Sequence, residues 1–225
     1  MTIIYSVQYN NNDYKKIYEK YYFLCSEYTK NKIKNFIKEQ DVCNCILSEI
    51  IFKEILARFY NLNYDFDNLK RNSYGKPYMS FEKKRIHFNI SHSENMVVCA
   101  ISDENIGIDV EKIDYSIITF KDIFCSKKEM DYLSNQNLDI DDEIKILYTI
   151  WTVKESFLKL LGVGLHYPLK KLSFKLQKGI IQKSGRNIKK IHFDTVLKEN
   201  YIITISSKHI NYRMFFLDVN ELGEK

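Results

Sequence analysis

Glycine and proline are scarce in this chain, with seven and two among 225 residues, which excludes long disordered linkers. No segment approaches the roughly 18 unbroken apolar residues that a membrane-spanning helix needs, so no membrane partner is expected. The N-terminal MTIIYSVQYN lacks a basic stretch followed by an apolar core, so secretion is not indicated and a cytoplasmic protein is expected. The five cysteines are an odd number, and Cys43-x-Cys45 has neither a second cysteine pair nor paired histidines to complete a zinc site. Reduced thiols in a reducing compartment account for them. Neither a Gly-x-x-x-x-Gly-Lys-[Ser/Thr] loop nor a Gly-x-Gly-x-x-Gly fingerprint occurs, which leaves a nucleoside-triphosphate or dinucleotide fold unsupported. A Gly-x-Ser-x-Gly elbow is absent too, and the adjacent Ser91 and His92 have diverging side chains, so a serine hydrolase is not indicated.

What is present suffices for a real core: 45% of residues are hydrophobic and 28% charged, fitting one large domain or two small ones. The net charge of +5 suits an acidic partner. The lysines are scattered, however, and the densest basic run, Lys83-Lys84-Arg85, reads as a solvated turn, so no nucleic-acid partner is expected. Apolar periodicity predicts strands over 3–7, 86–90, 96–101 and 106–111, and helices over 41–60 and 141–161. Shorter strands are expected over 172–176, 191–193, 201–205 and 212–217. NSYGKP, at 72–77, reads as a turn, and SHSEN as the polar link of a hairpin. Ser126-Lys-Lys-Glu129 has the form of a capping box. A weak compositional boundary at Ser102-Asp103-Glu104-Asn105 divides the chain into residues 1–103 and 104–225. Each part would be a helix packed on a few antiparallel strands, an α+β arrangement.

Three groups of residues could carry chemistry. Asp109 and Glu111 alternate along one strand and therefore share a face, opposite Ile106, Ile108 and Val110. Their like charges repel, and a hard divalent cation bound by oxygen ligands would relieve that repulsion. A solvated strand edge would look the same. In WTVKESFLKLLG, Trp151, Glu155 and Lys159 form one stripe beside the core stripe Ile146, Ile150, Val153, Phe157 and Leu161. Glu155 could add a third carboxylate and Lys159 could meet a phosphate. The spacing of this pair is equally that of an ordinary helix ion pair. Ser91 and His92, with nearby backbone N–H groups, could hold a phosphate or simply form a polar turn.

The order and wording of the motifs are more specific than any one of them. YGKPY, FNISHS, IGIDVEKI, FCSKKE and WTVKESFLKLLGVGL, in that order, resemble the Sfp-type phosphopantetheinyl transferase family. The resemblance implies two similar α/β subdomains related by pseudo-twofold symmetry, with coenzyme A bound between them. It implies a Mg²⁺-dependent enzyme that transfers 4'-phosphopantetheine from coenzyme A to a serine of an acidic acyl or peptidyl carrier protein, acting as a monomer. Asp109, Glu111 and Glu155 match the family's magnesium ligands. Lys159 matches a coenzyme A phosphate contact, Lys76 and Pro77 the loop beside the adenine, and Ser91 and His92 further phosphate contacts. Lys32 falls near the family's basic contacts ahead of the first long helix. Glu129 matches a glutamate near the metal, a role that stands beside its cap. The catalytic group would be Glu155 or Glu111 as base, with Lys159 at the leaving group. One departure stands out: early in that helix, where the family often has a basic residue followed by Thr or Ser touching the 3'-phosphate of coenzyme A, this chain reads Asn44-Cys45.

Overall fold

A computed structural model describes residues 1–79, 86–164, 167–177, 180–183 and 191–223. The basic run Lys83-Lys84-Arg85 lies outside the described residues. In chain order the main elements are β1 (Thr2–Gln8), α1 (Tyr14–Tyr21), α2 (Glu27–Ile33), α3 (Glu39–Ile55), β2 (Lys70–Arg71), β3 (Pro77–Tyr78), β4 (His87–Ser93) and β5 (Met96–Ser102). There follow β6 (Ile106–Lys112), α4 (Ile117–Phe124), α5 (Lys127–Ser134), α6 (Ile140–Leu161), β7 (Phe174–Gln177), β8 (Ile180–Lys183), β9 (His192–Lys198), β10 (Tyr201–Ser207) and β11 (Tyr212–Asp218). The α+β class holds.

The chain divides into two compact units. The first comprises Met1–Asn72, Pro77–Glu104 and Asn211–Lys225. Its sheet has the order β11-β1-β5-β4, antiparallel except that β11 runs parallel to β1. Every residue of the interior strand β5 is buried, as a strand covered on both faces requires. Helix α3 is buried nearly all round between Cys43 and Phe52, so it reads as a core helix without a polar face. Its buried Glu49 is satisfied by the backbone N–H and hydroxyl of Ser26 at 2.8 and 2.9 Å and by the Lys53 amine at 2.6 Å, which ties the start of α2 to α3.

The second unit comprises Ser73–Lys76 and Asn105–Ile210. Its sheet β6-β10-β9 is wholly antiparallel, with β10 buried throughout. Helix α6 starts at Asp139, whose carboxylate accepts from the Asp142 N–H at 2.8 Å, and Asp141, Asp142 and Glu143 favour the positive end of its dipole. It ends at Gly162, at φ 71°. The helix crosses β6 in direct contact at Gly107: a Cβ there would lie 1.9 Å from the Ser156 carbonyl oxygen and 2.8 Å from the Ser206 hydroxyl oxygen. Only glycine permits this approach, and it brings the polar stripe of α6 beside the strand that carries Asp109.

Candidate active site

In the second unit, β6 presents Asp109 and Glu111, and α6 presents Glu155 and Lys159. Asp109 is 3% exposed, and its Oδ1 accepts from the Lys159 Nζ at 2.7 Å. Glu111 Oε1 accepts from the indole N–H of Trp151 at 3.1 Å. Among the described residues, Glu155 Oε1 is buried without a hydrogen-bond partner. Burial, and then the neighbouring charge of Asp109, raise the Glu155 carboxyl to about 7; Lys159 opposes the shift and Glu111 adds to it. The three acids are thus electrostatically coupled. Among the described residues no three His, Cys, Asp or Glu side chains stand in an arrangement that could hold a metal ion. The donor set is nonetheless all oxygen, which suits a hard cation, and the unpartnered buried oxygen of Glu155 is what such an ion would satisfy.

Glu129 closes the capping box, accepting from the Ser126 N–H at 2.7 Å. The same Oε2 meets the fully buried Lys154 Nζ at 2.6 Å, and that amine also donates to the carbonyls of Phe124 and Leu169 at 2.6 and 3.3 Å. Glu129 therefore serves as cap and as counter-ion, and with Lys154 it joins the ends of α4 and α5 to α6. Lys76 donates to the Leu160 carbonyl at 3.2 Å, and burial lowers its amine to about 8.

The first unit holds a cavity of about 510 Å³. Lys32 on α2, Pro77 on β3 and His92 on β4 line it. Ser91, on the other face of β4, is buried and does not. Arg71, which the sequence reading missed, lines the cavity too; its guanidinium lies 5.3 Å over the Tyr28 ring and hydrogen-bonds the Tyr28 hydroxyl. The signal was the turn itself, since Arg71 pairs with Pro77 across it. Of the departing pair, Cys45 lines the cavity while the Asn44 side chain is engaged elsewhere.

Comparison with known proteins decides the family. The model of the 4'-phosphopantetheinyl transferase superfamily matches residues 105–206, and that of the 4'-phosphopantetheinyl transferase N-terminal region matches residues 14–104. The chain belongs to the 4'-phosphopantetheinyl transferase superfamily. It is 30% identical over 210 residues to 4'-phosphopantetheinyl transferase gsp of Aneurinibacillus migulanus, covering 89% of this chain and 86% of the relative. It is 32% identical to 4'-phosphopantetheinyl transferase Sfp of Bacillus subtilis (strain 168), covering 70% of this chain and 69% of that one. A mouse relative, L-aminoadipate-semialdehyde dehydrogenase-phosphopantetheinyl transferase, is 30% identical over 64% of this chain and 50% of its own. All five cysteines of this phosphopantetheinyl transferase are free and buried, and no described helix is long and apolar enough to cross a membrane.

Proposed function

We propose that this transferase moves 4'-phosphopantetheine from coenzyme A to a serine of an acidic acyl or peptidyl carrier protein, as a cytoplasmic monomer, with Asp109, Glu111 and Glu155 holding Mg²⁺. The observation that carries the metal reading is the buried, unpartnered oxygen of Glu155 beside two further carboxylates. A bound Mg²⁺ would neutralise charge on the diphosphate oxygens during phosphoryl transfer.

The chain's own residues supply the remainder. A carboxylate, Glu155 or Glu111, takes the proton of the incoming serine hydroxyl. The serine oxygen bonds to the phosphorus bearing the pantetheine arm, and the bond from that phosphorus to the bridging oxygen breaks. The leaving group is adenosine 3',5'-bisphosphate, whose new charge Lys159 meets. Lys32, Pro77 and His92 line the cavity of about 510 Å³ and are assigned to the coenzyme together with Lys76, whereas the buried Ser91 on the other face of β4 is not. The nucleophile belongs to the partner, so the chain needs none.

The carrier is assigned to α4 and α5. Phe120 and Ile123 are 52% and 64% exposed there, and Lys127 and Lys128 open α5. An apolar centre with basic flanks fits an acidic helical partner, and the positive field chiefly speeds encounter. The test is mass spectrometry of an apo-carrier incubated with enzyme, coenzyme A and Mg²⁺. A mass gain of one phosphopantetheine, lost with chelator and in Asp109→Ala, is expected; full transfer in chelator would remove the metal from the scheme.

A further inference from the structure

Asn44 occupies the helix position where the family resemblance leads one to expect a basic ligand contact, yet its side chain is fully committed inside the protein. It is 2% exposed. Its Oδ1 accepts from the Tyr9 hydroxyl at 2.7 Å, and its Nδ2 donates to the Glu94 carbonyl at 2.9 Å. Glu94 is the first residue of the two-residue turn joining β4 to β5, and it sits at φ 48°, a left-handed conformation that is strained for a non-glycine residue. One helical turn earlier, Gln40 donates to the Asn95 side chain at 2.7 Å and to the Glu94 carboxylate at 3.1 Å. The strained turn is therefore clamped onto α3 at both of its residues. His92, on the cavity wall, lies on β4 two residues before Glu94.

We propose that Asn44 is a positioning residue: it fixes the β4–β5 turn on α3 and so holds His92 at the cavity wall, instead of touching the coenzyme itself. Polar contact with the coenzyme then falls to side chains of other elements, Lys32 and Arg71 among them. The inference rests on the coenzyme A reading of this cavity.

The test is a set of KM values for coenzyme A in the carrier-labelling assay. Wild-type turnover checks the coenzyme A reading, while the ratio of variant to wild type checks the inference. Asn44→Ala loses the bond to Glu94 and is expected to raise KM about fivefold, with kcat and the KM for carrier unchanged. Asn44→Arg, which would restore a cation at a true ligand position, is expected to raise KM as well. In a His92→Ala background the effect of Asn44→Ala should shrink to within about twofold, because the two act through one contact. A KM below wild type for Asn44→Arg would overturn the proposal. An undiminished Asn44→Ala effect without His92, or an unchanged KM, would do the same. Should Asn44→Ala not fold, Tyr9→Phe removes one partner of Asn44 and keeps the ring; it should raise KM in the same direction, and no change would count against the proposal.

Discussion

The Lys159 amine lies 2.7 Å from Asp109 Oδ1, joining the last turn of α6 to the middle of β6. Asp109 is almost wholly buried, whereas Lys159 keeps 27% of its side chain in solvent. One amine thus neutralises a buried acid and still reaches the water from which a phosphate would arrive. Lys159→Met should lower stability by about 1.5–3 kcal/mol, the usual worth of a hydrogen bond to a charged group. It should also lower kcat at least tenfold with the carrier KM unchanged. Urea unfolding and steady-state kinetics check the two halves separately; lost stability with full kcat would confine Lys159 to a structural role.

Glu155 makes stability depend on pH. Its carboxyl keeps a proton in the folded chain up to about pH 7, whereas the unfolded chain releases it near the ordinary value of 4.5. Between these values the unfolded chain binds fewer protons, so stability falls as pH rises through that window. In metal-free buffer, Glu155→Gln should flatten that fall and melt higher than wild type above pH 7, while losing transferase activity. Added Mg²⁺ should raise the melting temperature of wild type but not of the variant. A wild-type melting curve indifferent to both pH and Mg²⁺ would contradict this account of the site.

Much of this arrangement is legible in residue order. The alternation of Ile106, Ile108 and Val110 gives β6 with its acids on one face, and the stripe Ile146 to Leu161 gives α6, of which Ile150, Val153 and Phe157 are core while Ile146 is half-buried and the terminal Leu161 is exposed. The expected helix over 41–60 is α3 together with a terminal turn, Leu56–Tyr60, and the hairpin around SHSEN is β4 and β5. Other features depend on contacts distant in sequence. The strand at 212–217 reads as a strand, but nothing local says that it runs parallel beside β1. Helices α1 and α2 bury only two residues each, so their apolar pattern is too sparse to register. Arg71 looks like any loop arginine until Tyr28 is placed under it. Asn44 looks like a weakened ligand until the strained turn at Glu94 is seen.

Gly107 stands where α6 touches the sheet. Any Cβ there meets the helix backbone, which cannot yield as a side chain can. Gly107→Ala should therefore displace α6 and cost about 1–3 kcal/mol, the ordinary cost of overpacking. It should remove activity out of proportion to that loss, because Glu155 and Lys159 move with the helix. Comparing turnover well below the melting temperature with that of Ser206→Ala, which deletes a hydroxyl at the same contact without adding bulk, separates displacement from simple destabilisation. Equal activities would show that the close approach is dispensable.

The Lys154–Glu129 pair is fully buried, with the amine 0% and the carboxylate 1% exposed. Burial pushes the Lys154 amine down, and the bond to Glu129 pushes it back up. Removing either partner strands the other charge, so Lys154→Met should cost about 3–5 kcal/mol. The double variant Lys154→Met with Glu129→Leu leaves no orphan charge and should recover a large part of that loss. It will not recover all of it, since Glu129 also caps α5 through Ser126. If the pair fixes the ends of α4 and α5, the double variant should also weaken carrier binding more than coenzyme binding, as should reversing Lys127 and Lys128 to glutamate. Salt distinguishes the two: the reversal effect should fade as ionic strength rises, whereas the loss from the buried pair should persist. An unchanged carrier KM at low salt in the reversal variant would move the docking surface away from α5.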